Sequence, residues 1–472
     1  MMILCIDCGL TKGKLLLFTK NGRCIGEESF YTPLAHSKID TFTLRELFCA
    51  CMKALLMHAD CDPCTISCIT VSGHGNGLYA IGDHDVLPIG YSSMMTEQAQ
   101  TLPDAAQTFP IILQSNWAGQ PLSILSWIKE TQPQTYRQIK TILFCKDLLR
   151  WFMTGDAVTE KTDASAAGLL NAQNGQYDHN LLRLYDLEDA YEKLPRIVRS
   201  DANAGFVTQA FSDKTGLPAG VPVLGGLFDV NSCMLGAGVV NKNMFSMIAG
   251  TWGINSAASN ALVRTRSITQ CCHFYGATPY VCIDSAPTSC ANLEWFTQKV
   301  INIASYDEVN HIAAMQPQDS GLFYLPYLYA PMDMPQIRGG FVGLQPHHDT
   351  HAMLRAVFEG IVFEHRYRME KLQQLGFHAD SIVLSGGAAN SVVFGQMFAD
   401  ICQKEILVSE QSQAGAMGGV ILSQMAAGEY TDLDTAVRQL VHYKYSYLPS
   451  PKTQNYYSQK YQDFRALQQK NQ

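Results

Sequence analysis

The 472-residue chain is short of charge: Asp, Glu, Lys and Arg make up 16% of it, against about a quarter in an ordinary globular protein. What charge it has leans acidic, 34 basic against 42 acidic side chains for a net −8. That balance excludes the electrostatic footprint of a nucleic-acid-binding protein. No run of 18 apolar residues occurs, so no transmembrane helix is expected. The opening MMILCIDCGLTKGK carries an acid at position seven and no basic flank before a long apolar stretch, which does not read as a signal peptide. A cysteine framework is missing too, since the 15 cysteines are odd in number and scattered, the pattern of reduced thiols. The expectation is a cytoplasmic protein with neither nucleic acid nor membrane as a partner. The chain does have 47% hydrophobic residues and a length that, at roughly 100 to 200 residues per domain, predicts more than one folded unit.

Ile3 to Ile6, Lys14 to Thr19 and Arg23 to Phe30 read as an antiparallel meander, with Asn21-Gly22 as a hairpin turn. Thr43 to His58 carries apolar residues at helical spacing, and Ile66 to Ser72 is β-rich, so a crossover helix leads to a parallel strand. A second start follows. Pro222 to Leu224 ends in Gly225-Gly226-Leu227-Phe228-Asp229, Met244 to Ile248 ends in Gly250-Thr251, and Ile382 to Leu384 runs into Ser385-Gly386-Gly387 ahead of a helix over Val392 to Ile401. The best boundary lies at 239–243, giving a mixed α/β chain of two similar halves, 1–241 and 242–472.

Asp7-Cys8-Gly9-Leu10-Thr11-Lys12-Gly13-Lys14 places an acid, a glycine, a hydroxyl and a cation in one turn. Its amides and the Thr11 hydroxyl suit a phosphate, with Asp7 near its magnesium and Lys14 near its charge, although D-x-G turns are also common hairpin chemistry. Gly250-Thr251 and Gly386-Gly387-Ala388-Ala389-Asn390 are further turns of this kind, the last before a helix N-terminus suited to an anion or a ribose. Three such turns across two halves suggest a nucleotide held between domains. Asp229 projects after Gly225-Gly226, which would let a strand end close to a ligand. A carboxylate there either accepts a hydroxyl proton in phosphoryl transfer or caps the helix beginning Val230-Asn231.

These motifs resemble, in order, the FGGY carbohydrate kinases of the actin-like ATPase superfamily. The resemblance also covers Ser72-Gly73-His74-Gly75, Lys146 to Trp151 with Thr154-Gly155, Gly216 to Val223, Gly340 to Leu344, Ala356 to Gly360 and Gln396 to Asp400. The wording GGLFDV, Pro287 to Phe296 and Leu169 to Ala172 is similar to bacterial L-xylulose kinases and related ketosugar kinases. The resemblance implies two actin-like, ribonuclease H-like domains around a catalytic cleft. It implies ATP and Mg2+ as cofactors, a small ketosugar as substrate and a homodimer as assembly. Asp229 is then the general base; Asp7, Gly9, Thr11, Lys14, Gly250 and Thr251 face phosphates and magnesium; Gly386, Gly387 and Asn390 line the adenosine pocket; His74 and Gly75 touch sugar.

Leu10 stands where the first loop usually has threonine, and Ser92-Ser93-Met94-Met95 stands where many members have an aspartate followed two residues later by arginine, a pair that helps bind sugar. His74 matches a histidine of D-xylulose kinases, whereas L-xylulose kinases have glutamine there. The expected substrate is a pentulose, L-xylulose or D-xylulose. Another sugar, a polyol or a keto-sugar acid stays open, as does a non-catalytic sugar sensor. Zinc at Cys5/Cys8 or Cys61/Cys64 and a metal at His347, His348, Asp349 and His351 are set against a strand and a helix cap respectively. Trp127, Trp151 and Trp295 are expected in the core, and Glu359 in a hydrogen-bonded structural role.

Overall fold

The computed structural model describes residues 1–59, 61–96, 102–303, 305–315, 321–411 and 413–472. Strands β1 (Met2–Cys8), β2 (Lys12–Thr19) and β3 (Cys24–Tyr31) form the antiparallel meander. Helix α1 (Thr41–His58) starts at Asp40, whose carboxylate accepts from the Thr43 amide, and crosses to β4 (Ile66–Gly73), parallel to β1. β5 (Asn203–Phe206) precedes β6 (Pro222–Leu224) and β7 (Leu227–Phe228), and both of these run parallel to β4. Leu15 to Phe18 are all buried, as a strand covered on both faces requires.

A second sheet is built on the same plan. β8 (Met244–Ala249), β9 (Gly253–Ser259) and β11 (Tyr280–Ala286) form a meander, with β10 (Gln270–His273) on its edge. β12 (Ser381–Ser385) and β13 (Glu405–Ser409) then continue parallel to β8, and β14 (Tyr443–Tyr447) closes the far edge. The order β3-β2-β1-β4-β6 of the first sheet thus recurs as β11-β9-β8-β12-β13 in the second. This duplicated meander with parallel extension is the two-domain actin-like, ribonuclease H-like architecture.

One helix does not stay with its own half. In sequence order come α2 (Cys145–Thr154), α3 (Lys161–Ala166), α4 (Asp229–Gly236), α5 (Thr350–Gln374), α6 (Val392–Cys402) and α7 (Ala414–Ala426). Although α7 follows β13, its Met417, Val420 and Ile421 share a core with Ile3, Cys5, Leu16 and Phe18 of the first sheet. It meets α4 so closely that a side chain on Gly236 would overlap the Ala414 carbonyl, and one on Gly418 the Ser232 carbonyl. Asp349 caps α5 as expected, and Glu359 is buried against Lys460 Nζ (2.6 Å) and Arg355 (3.2 Å). The three tryptophans expected in the core differ from expectation. Trp295 is exposed and Trp127 and Trp151 are only partly buried, packed against the edge of a core with part of each ring turned outward.

Candidate active site

Registers bring the carboxylates of the first half together. Asp7 pairs with Ser72 across β1 and β4, and Phe228 of β7 pairs with Gly73 of β4, so Asp7, His74 and Asp229 sit at the C-terminal ends of three adjacent parallel strands. In an open α/β sheet that end is where ligands bind.

The first turn is closed by Gly9 N donating to Lys12 O at 3.1 Å. Its other carbonyls are occupied: Thr32 Oγ1 donates to Leu10 O (2.5 Å) and Thr32 N to Thr11 O (3.0 Å). The amides of Leu10 and Thr11 donate to no acceptor among the described residues, so two N–H groups face outward beside the Asp7 carboxylate. Asp7 Oδ1 accepts from Ser72 Oγ at 2.9 Å. Burial lifts its pKa above the ordinary carboxylate range, although the Ser72 hydrogen bond and the Lys14 charge offset part of this. Lys14 is the direct cross-strand partner of Asp7, and its Nζ donates to Gln413 Oε1 at 2.6 Å. Gln413 immediately precedes α7, and a side chain on Gly415 would stand 2.7 Å from Asp7 Oδ2. Residues of the second half therefore close around the first turn.

The second and third turns leave adjacent parallel strands, β8 and β12. Gly386 has φ 84° and presses against the end of β8, where a side chain would stand 2.8 Å from the Ala249 carbonyl; only glycine meets both demands. Gly387 and Gly250 are different. Neither has a positive φ, and added side chains there would meet nothing closer than the Trp252 carbonyl at 3.9 Å. Their missing side chains leave room that the protein itself does not use. Gly387 and Asn390 line a cavity of about 340 Å3 with Glu294, Tyr306 and Asn310, beside the stacked rings of Phe358 and Phe394 (4.1 Å). The helix after this turn is capped from within, Ser391 Oγ accepting from Phe394 N.

Asp229 is the first residue of α4 rather than its cap; that position is Phe228, and the carboxylate accepts only from Val230 N at 2.7 Å. Burial, then repulsion from Asp7, pushes its pKa up to about 7, with His74 and the Val230 amide pulling the other way. The two glycines before it are not where a ligand comes close. A side chain on Gly225 would strike the Arg199 carbonyl, and Gly226, at φ 83°, lies on the Val71 carbonyl, so both serve the packing of the strand.

What holds Asp229 in place is a fully buried charge cluster behind it. Arg150 Nη1 donates to Gly225 O (2.6 Å), Thr162 Oγ1 accepts from Phe228 N (3.0 Å), and Lys146 joins Asp147 (2.6 Å), Asp163 (3.4 Å) and Glu160 (3.7 Å). Sequence reasoning found Lys146 to Trp151 only as a resemblance block; the cluster's other members come from 160–163, a separate helix start.

A second cavity, of about 290 Å3, lies between the halves and includes His74, Gly75, Asn76, Met94, Asp229 and Trp252. Gly75 is held small by the Phe228 ring. His74 Nε2 lies 3.2 Å from the Tyr79 hydroxyl, whereas its Nδ1 and the Oδ1 of Asn76 are buried without a hydrogen-bond partner. Burial pulls the His74 pKa down, but Cys145, Asp229 and Asp163 outweigh it, and the imidazole sits above its ordinary value. Asn76, Tyr79, Cys145, Gln413 and Gly415 were not found from the sequence. A glycine-rich stretch inside a helical pattern, AGAMGG, was the available signal for the last.

Two family models cover most of the chain: the N-terminal domain of the FGGY family of carbohydrate kinases matches residues 2–236, and the C-terminal domain of that family matches 245–427. The chain belongs to the FGGY family of carbohydrate kinases. It is 31% identical to a probable L-xylulose kinase of Haemophilus influenzae, over 89% of this chain and 90% of the relative. It is 30% identical to the L-xylulose/3-keto-L-gulonate kinase of Escherichia coli, over 98% and 95%. Among solved structures, xylulose kinase from Lactobacillus acidophilus matches with a TM-score of 0.89 at 22% identity, covering 99% of this chain and 97% of that one, a likeness of fold. Among the described residues, no helix of this FGGY kinase is long and apolar enough to cross a membrane.

Proposed function

We propose that this protein transfers the γ-phosphoryl group of ATP to a hydroxyl of a pentulose, L-xylulose or D-xylulose. The observation that carries the reading is the placement of Asp229: a carboxylate with a pKa near 7, on the wall of a cavity with room for a small sugar, next to a turn with free amides. Such a carboxylate is poised to take the acceptor proton near neutral pH. The relatives named L-xylulose kinase and L-xylulose/3-keto-L-gulonate kinase support the sugar class.

In this reading Gly9, Thr11, Gly250 and Thr251 face the phosphates, and Gly386, Gly387 and Asn390 the adenosine. His74 and Gly75 face the sugar. Asp7 fits a magnesium ion brought in with the nucleotide, since one carboxylate beside phosphate oxygens suits a cation that keeps several waters. Magnesium there would supply charge neutralisation on the transferred group. Lys14, tied to Gln413, fixes the second half against the Asp7 turn. The division at 241/242, closure of the two domains on both ligands, a homodimeric assembly and a cytoplasmic location belong to the same proposal. Closure would keep water from acting as acceptor.

Intact Asp7, Thr11 and Asp229 speak against a non-catalytic sensor. The test is ADP release from the purified chain with L-xylulose, D-xylulose, other ketoses, glycerol and a keto-sugar acid. Sugar-independent ATP turnover with every acceptor would refute the reading.

A further inference from the structure

The cavity that includes Asp229 has one apolar wall and holds neither lysine nor arginine among its described residues. Leu10, Met94, Trp117, Ile254, Ile283 and Met332 make up much of its surface. Among the described residues His74 is the cavity's one basic side chain, and the Asp229 carboxylate, which helps to raise its pKa, lines the same cavity and already opposes it. Two polar atoms there, His74 Nδ1 and Asn76 Oδ1, are buried and lack a hydrogen-bond partner among the described residues. These suit sugar hydroxyls and a carbonyl.

We propose that this site selects uncharged ketosugars and turns away keto-sugar acids, an inference that rests on the kinase reading above. The E. coli relative is named for both kinds of substrate, L-xylulose and 3-keto-L-gulonate. A carboxylate entering this cavity would give up water to an apolar wall, find no lysine or arginine and only a His74 that Asp229 already opposes, and face the Asp229 carboxylate that must itself be ionised to act. A neutral hydroxyl or carbonyl in the same place meets no such penalty. The position of Met94 is decisive, because it stands where the resemblance expects the aspartate-and-arginine segment of other family members, and the residue lines the cavity while 48% exposed.

The test uses the full chain with ATP and magnesium, measuring kcat/KM for L-xylulose, D-xylulose and 3-keto-L-gulonate at one pH. The neutral pentuloses should exceed the acid by at least ~100-fold, the scale set by an unpaired charge in a desolvated site. Met94→Lys and, separately, Met332→Lys place an ammonium on the apolar wall. In at least one of them the acid-to-neutral ratio of kcat/KM should rise by about tenfold, the worth of one charge-assisted contact. Turnover of the acid within about threefold of the pentuloses by the unaltered protein would overturn the inference while leaving the kinase reading intact. An unchanged ratio in both lysine variants would overturn it as well. Failure to phosphorylate either kind of sugar would sink the kinase reading and the selectivity with it.

Discussion

Replacing Asp229 by asparagine separates two consequences of burying a carboxylate, one on rate and one on stability. The group's pKa moves from 3.8 to about 7, with burial the largest cause and the Asp7 charge the next. The folded state therefore holds this proton more tightly than the unfolded chain, and stability falls as pH rises from about 4 to about 7. The full shift would correspond to ~4 kcal/mol; because Asp229 keeps partial solvent access, about 1 to 2 kcal/mol is the realistic share. Asp229→Asn removes that penalty, so at pH 8 the variant should be more stable than the parent by this amount, with the gap closing toward pH 4. Urea unfolding at pH 5, 6.5 and 8 measures it. The same variant should lose about 10² to 10⁴ in kcat with ATP affinity little changed, because a positioned base is gone and the turns are not. In the unaltered enzyme kcat/KM for sugar should fall with unit slope below about pH 7. His74→Gln removes a charge that lowers the Asp229 pKa, and should move that limb to higher pH. A variant that turns over normally, or one no more stable at pH 8 than at pH 5 relative to the parent, would refute the reasoning.

Gly387→Val should weaken ATP binding in calorimetry by at least about tenfold while sparing the fold, because that position is open on the protein side and a side chain would enter the space assigned to nucleotide. Lys14→Met should leave the sheet intact but raise the KM for ATP, since it unties the first turn from Gln413; equal KM values would show the contact to be incidental. His74→Ala should raise KM for the preferred sugar with the KM for ATP nearly unchanged, and wild-type values for both would make His74 structural. Arg150→Met, which leaves the buried Gly225 carbonyl without that donor and Asp147 with Lys146 as its one remaining cation, should destabilise the protein by about 3 kcal/mol or more, read as a lower unfolding midpoint.

Local pattern carried the strands to within a residue or two, because most are apolar runs with a glycine or asparagine at one end: Pro222 to Leu224 was exact, and Met244 to Ile248 gained only Ala249. The three glycine turns were legible for the same reason. What the sequence concealed is pairing over distance. Lys14 and Gln413 are 399 residues apart, and nothing near either announces the other. Gly225 and Gly226 were read as an approach to ligand because glycine permits close contact, but the sequence does not say with what, and the partners are the Arg199 and Val71 carbonyls. The buried cluster around Lys146 was hidden likewise, since lysine, arginine and three acids read as surface until the fold places all five at zero exposure.

The glycines of α4 and α7 explain how two duplicated domains can hold one reaction centre. Both helices begin at the chemistry, α4 with Asp229 and α7 with Gly415 against Asp7, and their close contact leaves no side-chain layer to shift between them. Ser232 Oγ donates to the Gly415 carbonyl at 2.7 Å across that contact, which fixes their register. Elsewhere the cavity is lined by Met94, Trp252 and Met332, all three exposed side chains. Phosphoryl transfer depends on alignment more than on covalent help. In the proposed reaction Asp229 as base stands at that interlocked contact, where the packing of α4 on α7 holds it in register with the Asp7 turn.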